Sequence, residues 1–239
     1  MHDPAALRAR LADVRERIAH AAARAGRDPS HIKLIAVSKT FGVDAVRAAA
    51  ANGQIEFGEN KVQEAHDKHS AMQDLPILWH LIGHLQSNKA KKAAALFDFI
   101  HSIDSPDLVR KVDAAAALAG RRITLLAQVD LAGESTKFGA RENDLPHIFS
   151  AASECQSVKL AGLMIIPPAV RDARDARPWF RRLRDVRDRL ADAGFARDQL
   201  TELSMGMSHD FEIAIEEGAT MVRVGAAIFG NRDPGAIDS

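Results

Sequence analysis

The sequence predicts a (β/α)8 barrel, a TIM-type α/β fold, with one extra helix at its N-terminus. Three observations carry that prediction. Eight short apolar runs are each separated from the next by a segment of helical character. The runs are continuously apolar rather than alternating, which suits parallel strands buried on both faces. A length of 239 residues accommodates eight βα units. A doubly wound open sheet is the rival. No G-x-G-x-x-G follows the first run, which weakens the dinucleotide-binding form of that rival. No linker, low-complexity tract or short repeat is visible, so residues 1–239 read as one domain.

The elements follow in order. Leu7, Leu11, Val14 and Ile18 form the apolar stripe of a first helix over 5–24, with Asp3 and Pro4 as its start. Strands are expected at 33–39, 55–58, 77–82, 97–103, 123–129, 158–166, 202–205 and 221–224. Helices are expected at 43–51, 59–72, 86–96, 106–119, 143–152, 178–193 and 210–217. Several of them stop at a glycine, as at Gly120, Gly194 and Gly218.

Composition removes several classes of function. Lys+Arg and Asp+Glu both number 32, so the basic excess of a nucleic-acid or anionic-membrane binder is missing. A single cysteine, Cys155, has no internal disulfide partner. No apolar run reaches the roughly 20 residues of a membrane span, and no signal peptide is visible, so a cytoplasmic protein is expected. Tyrosine is absent, which excludes chemistry that needs a phenol.

A barrel keeps its site at the C-terminal ends of its strands. Lys39 closes the first run, LIAVSK, where partial burial lowers an amine's pKa and allows attack on a carbonyl. On position alone, a solvated lysine is the commoner reading. Ser204–Ser208 follows the seventh run and precedes a helix; Gly206, two hydroxyls and free amides suit a phosphate, as does Gly225 after the eighth. The bland alternative is a serine N-cap. Arg223 lies inside the apolar MVRV and needs a partner: a ligand ring nitrogen, a phosphate, or a carboxylate such as Glu202. Amine, phosphate cradle and arginine together suggest pyridoxal 5′-phosphate (PLP). A phosphosugar Schiff-base aldolase shares the first two features without needing the third. His80 and His84 have a metal spacing, but Gly83 at a strand end takes them off one face, so no metal is expected. Lys137, on a loop, is a second candidate aldehyde trap ranked below Lys39.

The segments 34–40 (LIAVSKT), 57–65 (FGENKVQEA), 79–89 (WHLIGHLQSNK), 162–164 (GLM), 203–211 (LSMGMSHDF) and 222–230 (VRVGAAIFG) resemble the pyridoxal phosphate homeostasis proteins. The resemblance spans most of the chain. It implies a barrel like the N-terminal domain of bacterial alanine racemase, with PLP held as an aldimine on Lys39. It also implies phosphate contacts from Ser204, Met207, Ser208 and Gly225, with Ala226 adjacent. Arg223 is implied near the pyridine nitrogen, and Asn60, His84 and Met164 around the cofactor. Such proteins look like vitamin B6 carriers or regulators without established turnover. Apo PLP-dependent enzymes are the implied partners, and the expected state is a monomer or weak homodimer.

The competing class is a PLP-dependent racemase of the alanine racemase type. Racemisation needs groups on both faces of the substrate Cα, and the racemases supply the second from a tyrosine in a further domain. This chain has neither the tyrosine nor residues left for that domain. An arginine beside the ring nitrogen also makes the ring a poorer electron sink. His84 remains as a base for weak side reactions. A carrier is therefore expected.

Overall fold

Asp3 starts the first helix by accepting the Ala5 amide on its carboxylate at 2.9 Å, and Pro4 fills the first turn. The structure, a computed structural model, describes residues 3–133 and 138–230. Helix α1 (Pro4–Arg24) buries Leu7, Leu11, Val14 and Ile18. The stripe read from the sequence is thus its packing face.

Strands β1 (Lys33–Val37), β2 (Glu56–Glu59), β3 (Leu78–Leu81) and β4 (Phe99–Ile103) are followed in turn by α2 (Val43–Ala51), α3 (Val62–Ala71), α4 (Ala90–Leu96) and α5 (Pro106–Leu118). Strands β5 (Ile123–Gln128), β6 (Val158–Met164), β7 (Glu202–Met207) and β8 (Met221–Val224) alternate with α6 (Leu145–Ser153), α7 (Arg177–Asp192), α8 (Phe211–Glu216) and the short α9 (Ala226–Phe229). All eight strands pair in parallel, and β8 pairs β1, so the barrel is closed in sequence order. The expected fold class is the observed one.

Some boundaries move. β1 stops at Val37, so Lys39 lies in the turn beyond it rather than in the strand. β7 runs two residues further than expected, to Met207. The helix expected over 86–96 is a 3-10 turn at Ser87–Lys89 followed by α4.

Along the strands the side chains obey period two. Leu34, Ala36, Ile100, Leu125, Leu163, Leu203 and Val222 join the large core shared with the helices. Their neighbours Ile35, Leu126, Met164 and Met221 form a separate small cluster, with Phe99 against it. That cluster is the apolar filling of the barrel interior. Because it is small, polar side chains occupy the remaining inward positions: His80, His101, Ser204 and Arg223 are all buried. Gly58 makes room among them, since a Cβ there would meet Ile35 Cγ2 at 2.9 Å.

Candidate functional site

The strands' C-terminal ends and the turns beyond them enclose a cavity of about 780 Å³. Lys39, Asn60, His84, Met207, Ser208, Arg223, Gly225 and Ala226 all line it. The structure therefore brings together eight of the ten residues expected there.

Ser204 and Met164 lie beneath the cavity rather than on its wall. Both are fully buried and neither lines the cavity. Met164 packs with Ile35, Leu126 and Met221 in the barrel interior. Ser204 shares the barrel interior with Arg223, and its hydroxyl oxygen accepts from Arg223 Nη1 at 2.7 Å. Lys137 lies outside the described residues.

The turn that carries Lys39 is held from below. The Lys68 ammonium donates to the Ser38 carbonyl at 2.7 Å, to Glu59 Oε1 at 2.7 Å and to Glu64 Oε1 at 2.9 Å. Ser38 Oγ donates to the same Glu59 oxygen at 2.6 Å. Glu64 also accepts the Thr40 amide. Thr40 has φ 69°, the left-handed region that a β-branched residue rarely adopts. The residues on either side of Lys39 are thus fixed by one charged cluster, and the strained Thr40 is over-determined by it. Burial raises the Glu59 carboxyl above the ordinary carboxylate range, although Lys68 and the Ser38 hydroxyl oppose it.

The loop after β7 meets the loop after β8. The Ser208 hydroxyl oxygen accepts the amides of Gly225 at 3.0 Å and Ala227 at 3.4 Å. Its own hydrogen stays available to a bound anion. A Cβ on Gly225 would come within 3.3 Å of the Val37 carbonyl, so the approach of this backbone to β1 favours glycine. The Met207 amide donates to the Asp210 carboxylate at 2.7 Å. Met207 contributes its side chain to the cavity wall.

Arg223 donates from Nη1 to Ser204 and from Nη2 to the Ile165 carbonyl at 2.8 Å. Burial pulls its pKa down to about 10, and the Asp210 carboxylate opposes the shift. Glu202, the carboxylate considered for it, pairs with Lys33 instead. His84 stacks on Phe138, with ring centroids 3.6 Å apart and 8° between planes. Its Nδ1 is buried without a hydrogen bond among the described residues. His80, four residues earlier, points into the barrel toward His101.

Gln128 and Phe138 also line the cavity and were not singled out from the sequence. Asp130, readable as a polar residue beyond the fifth run, lines it too, two residues past Gln128, the last of β5. Phe138 had no signal, because it returns to the mouth from a loop.

The residues fit pyridoxal 5′-phosphate. The cavity joins an amine, a hydroxyl-bearing loop at two chain turns and a buried guanidinium still short of a carboxylate contact among the described residues. The chain matches the family described as alanine racemase, N-terminal domain, over residues 9–233. It is 43% identical to the pyridoxal phosphate homeostasis protein of Aquifex aeolicus, over 93% of this chain and 97% of the relative. Against that of Escherichia coli it is 39% identical, over 93% and 95%. PipY of Synechococcus elongatus, solved with PLP bound, superposes with a TM-score of 0.83 at 41% identity, covering 94% of this chain and 100% of PipY. Alanine racemase of Clostridium difficile shares the fold at a TM-score of 0.71 and 13% identity, covering 98% of this chain and 59% of the racemase. Sequence, fold and the architecture of the cavity agree: the chain belongs to the alanine racemase N-terminal domain family and, within it, to the pyridoxal phosphate homeostasis proteins.

Proposed function

We propose that this barrel binds PLP through Lys39 and serves the intracellular supply of that cofactor rather than turning over a substrate. The observation that carries the reading is the convergence of Lys39, Ser208, Gly225 and Arg223 on one cavity. PLP supplies an aldehyde with which an amine condenses, releasing water. Lys39 supplies that amine, on a turn fixed by Lys68, Glu59 and Glu64. The Ser208 hydroxyl hydrogen and the Ala226 amide would receive the phosphate, with the side-chain-free Gly225 leaving room beside them. Arg223 donates toward the ring nitrogen and keeps it unprotonated, which limits the ring as an electron sink. Asn60 and His84 complete the wall, while Met164 and Ser204 support it from the layer beneath.

Delivery would use the same groups: the amine of an apo-enzyme would replace Lys39 on the aldehyde carbon and return a proton to the Lys39 nitrogen. Borohydride treatment of the loaded protein followed by peptide mapping tests the anchoring residue. The expected mass adduct is on the Lys39 peptide; an adduct confined to the Lys137 peptide overturns the assignment. Holo-protein that restores an apo PLP enzyme no faster than free PLP removes the delivery role. The racemase reading has His84 as its observation, a base in the cavity. Sustained interconversion of L- and D-alanine would establish it in place of the carrier.

A further inference from the structure

A chain of side chains, all buried except the partly exposed Glu56, links the lower end of the barrel to Arg223. Glu56, the first residue of β2, is bonded to His80 Nε2. His80 Nδ1 lies 2.9 Å from His101 Nε2, and His101 Nδ1 lies 2.9 Å from Ser204 Oγ. Arg223 Nη1 reaches the same Ser204 oxygen at 2.7 Å. The five residues come from β2, β3, β4, β7 and β8. His80 is also stacked on Phe99, with centroids 4.3 Å apart and 5° between planes, which fixes its ring.

With one proton on each imidazole and the Glu56 carboxylate as acceptor, donation along this chain runs in one direction. A guanidinium only donates, so Ser204 Oγ accepts from Arg223. The single Ser204 hydrogen goes to His101 Nδ1 when His80 carries one proton, since the reverse direction requires protons on both His80 nitrogens. Burial holds His101 well below its ordinary pKa, with His80 and Arg223 adding to the effect, so the ring is neutral. A neutral ring that accepts at Nδ1 carries its proton on Nε2 and gives it to His80 Nδ1. His80 in turn carries its proton on Nε2, facing the Glu56 carboxylate. Every donor beyond Ser204 therefore points away from Arg223. The aligned dipoles turn their negative ends toward a buried cation that touches no carboxylate among the described residues.

We propose that Ser204, His101 and His80 are positioning residues, forming a one-way hydrogen-bond relay anchored on Glu56 that holds the Arg223 guanidinium in the cavity for its ligand. The inference rests on the reading of Arg223 as the ring-nitrogen partner of PLP. The relay supports the cation through the barrel interior, and among the described residues no carboxylate is hydrogen-bonded to it, which leaves its remaining N–H groups for the ligand.

The test begins with ligand-free, full-length protein labelled with 15N-histidine, at neutral pH. His80 and His101 are both expected neutral and protonated on Nε2. An imidazolium, or an Nδ1–H tautomer, at either residue overturns the relay. Binding of PLP to Ser204→Ala and Ser204→Thr is then read as affinity and as the position of the visible band. The alanine variant is expected to lose about tenfold in affinity and to shift the band, the loss of one charge-assisted hydrogen bond. The threonine variant keeps the hydroxyl and is expected within about twofold of wild type. His101→Phe, of similar volume but without donor or acceptor, gives a second route should Ser204→Ala not fold. Variants indistinguishable from wild type in affinity and band position remove the positioning role. If wild-type protein takes up no PLP, the proposed function fails, while the histidine spectra still decide the relay.

Discussion

The Lys68 ammonium and the Ser38 carbonyl oxygen lie 2.7 Å apart, and Lys39 is the next residue in the chain. A buried cation on α3 thus sets the conformation of the turn that presents the site's amine. Lys68→Met is expected to destabilise the fold by about 3–5 kcal/mol, because it leaves the fully buried Glu59 unpaired. Lys68→Met combined with Glu59→Gln is expected to recover much of that loss. Urea denaturation of the two variants checks both statements. A single variant as stable as wild type would show that Glu59 is already protonated in the native state.

Gly83 separates β3 from His84, and its hydrogen side faces the backbone of Asn60. A Cβ there would lie 2.2 Å from the Asn60 carbonyl oxygen and 2.8 Å from its Cα. Gly83→Ala must push the β2–α3 connection outward, moving Asn60 away from the cavity. The expected result is a destabilisation of about 1–3 kcal/mol with weakened PLP uptake. Thermal melting and a PLP titration on the same sample measure the two effects.

His101 gives stability a pH dependence of known sign. Its folded pKa is well below the ordinary 6.5, chiefly through burial. Below pH 6.5 the unfolded chain takes up a proton that the folded ring refuses, so stability falls as pH falls. The slope from this one group approaches about 1.4 kcal/mol per pH unit until the folded pKa is reached. His101→Phe is expected to show a shallower loss of stability in acid than wild type. Parallel slopes for the two proteins would refute the assignment.

Cys155 is half-buried at the end of α6, and burial, reinforced by Asp113, pushes its thiol up to about 11 from an ordinary 9.0. Near pH 8 its thiolate is about a hundredfold scarcer than that of an unshifted thiol. Labelling by a disulfide reagent is expected to be slow in the folded protein and fast in urea. Rapid labelling of the native protein would contradict the shift.

The barrel and much of its mouth were legible because both are written locally. Continuous apolar runs identified each strand, and MVRV was bounded correctly at Met221 and Val224. Lys39, Ser208 and Gly225 were readable because each lies within two residues of the end of a strand. Ser204 was drawn into the phosphate loop because its neighbours belong there. Only the inward or outward sense of β7, set by its register against β6 and β8, puts its hydroxyl beneath the cavity. The same limit hid the relay: His80, His101 and Glu56 come from three strands, and no spacing within any one of them records that they meet. Lys68 carried no signal either, since a lysine on an amphipathic helix looks solvent-facing until Glu59 is found opposite it.

Pairing of β8 with β1 has a consequence beyond the site. A circular ladder has no terminal strand, so there is no row of unsatisfied amides and carbonyls on which a second polypeptide could grow. The sheet therefore offers no edge as a template for aggregation, and this protection resides in the ladder itself, apart from the loops of the mouth.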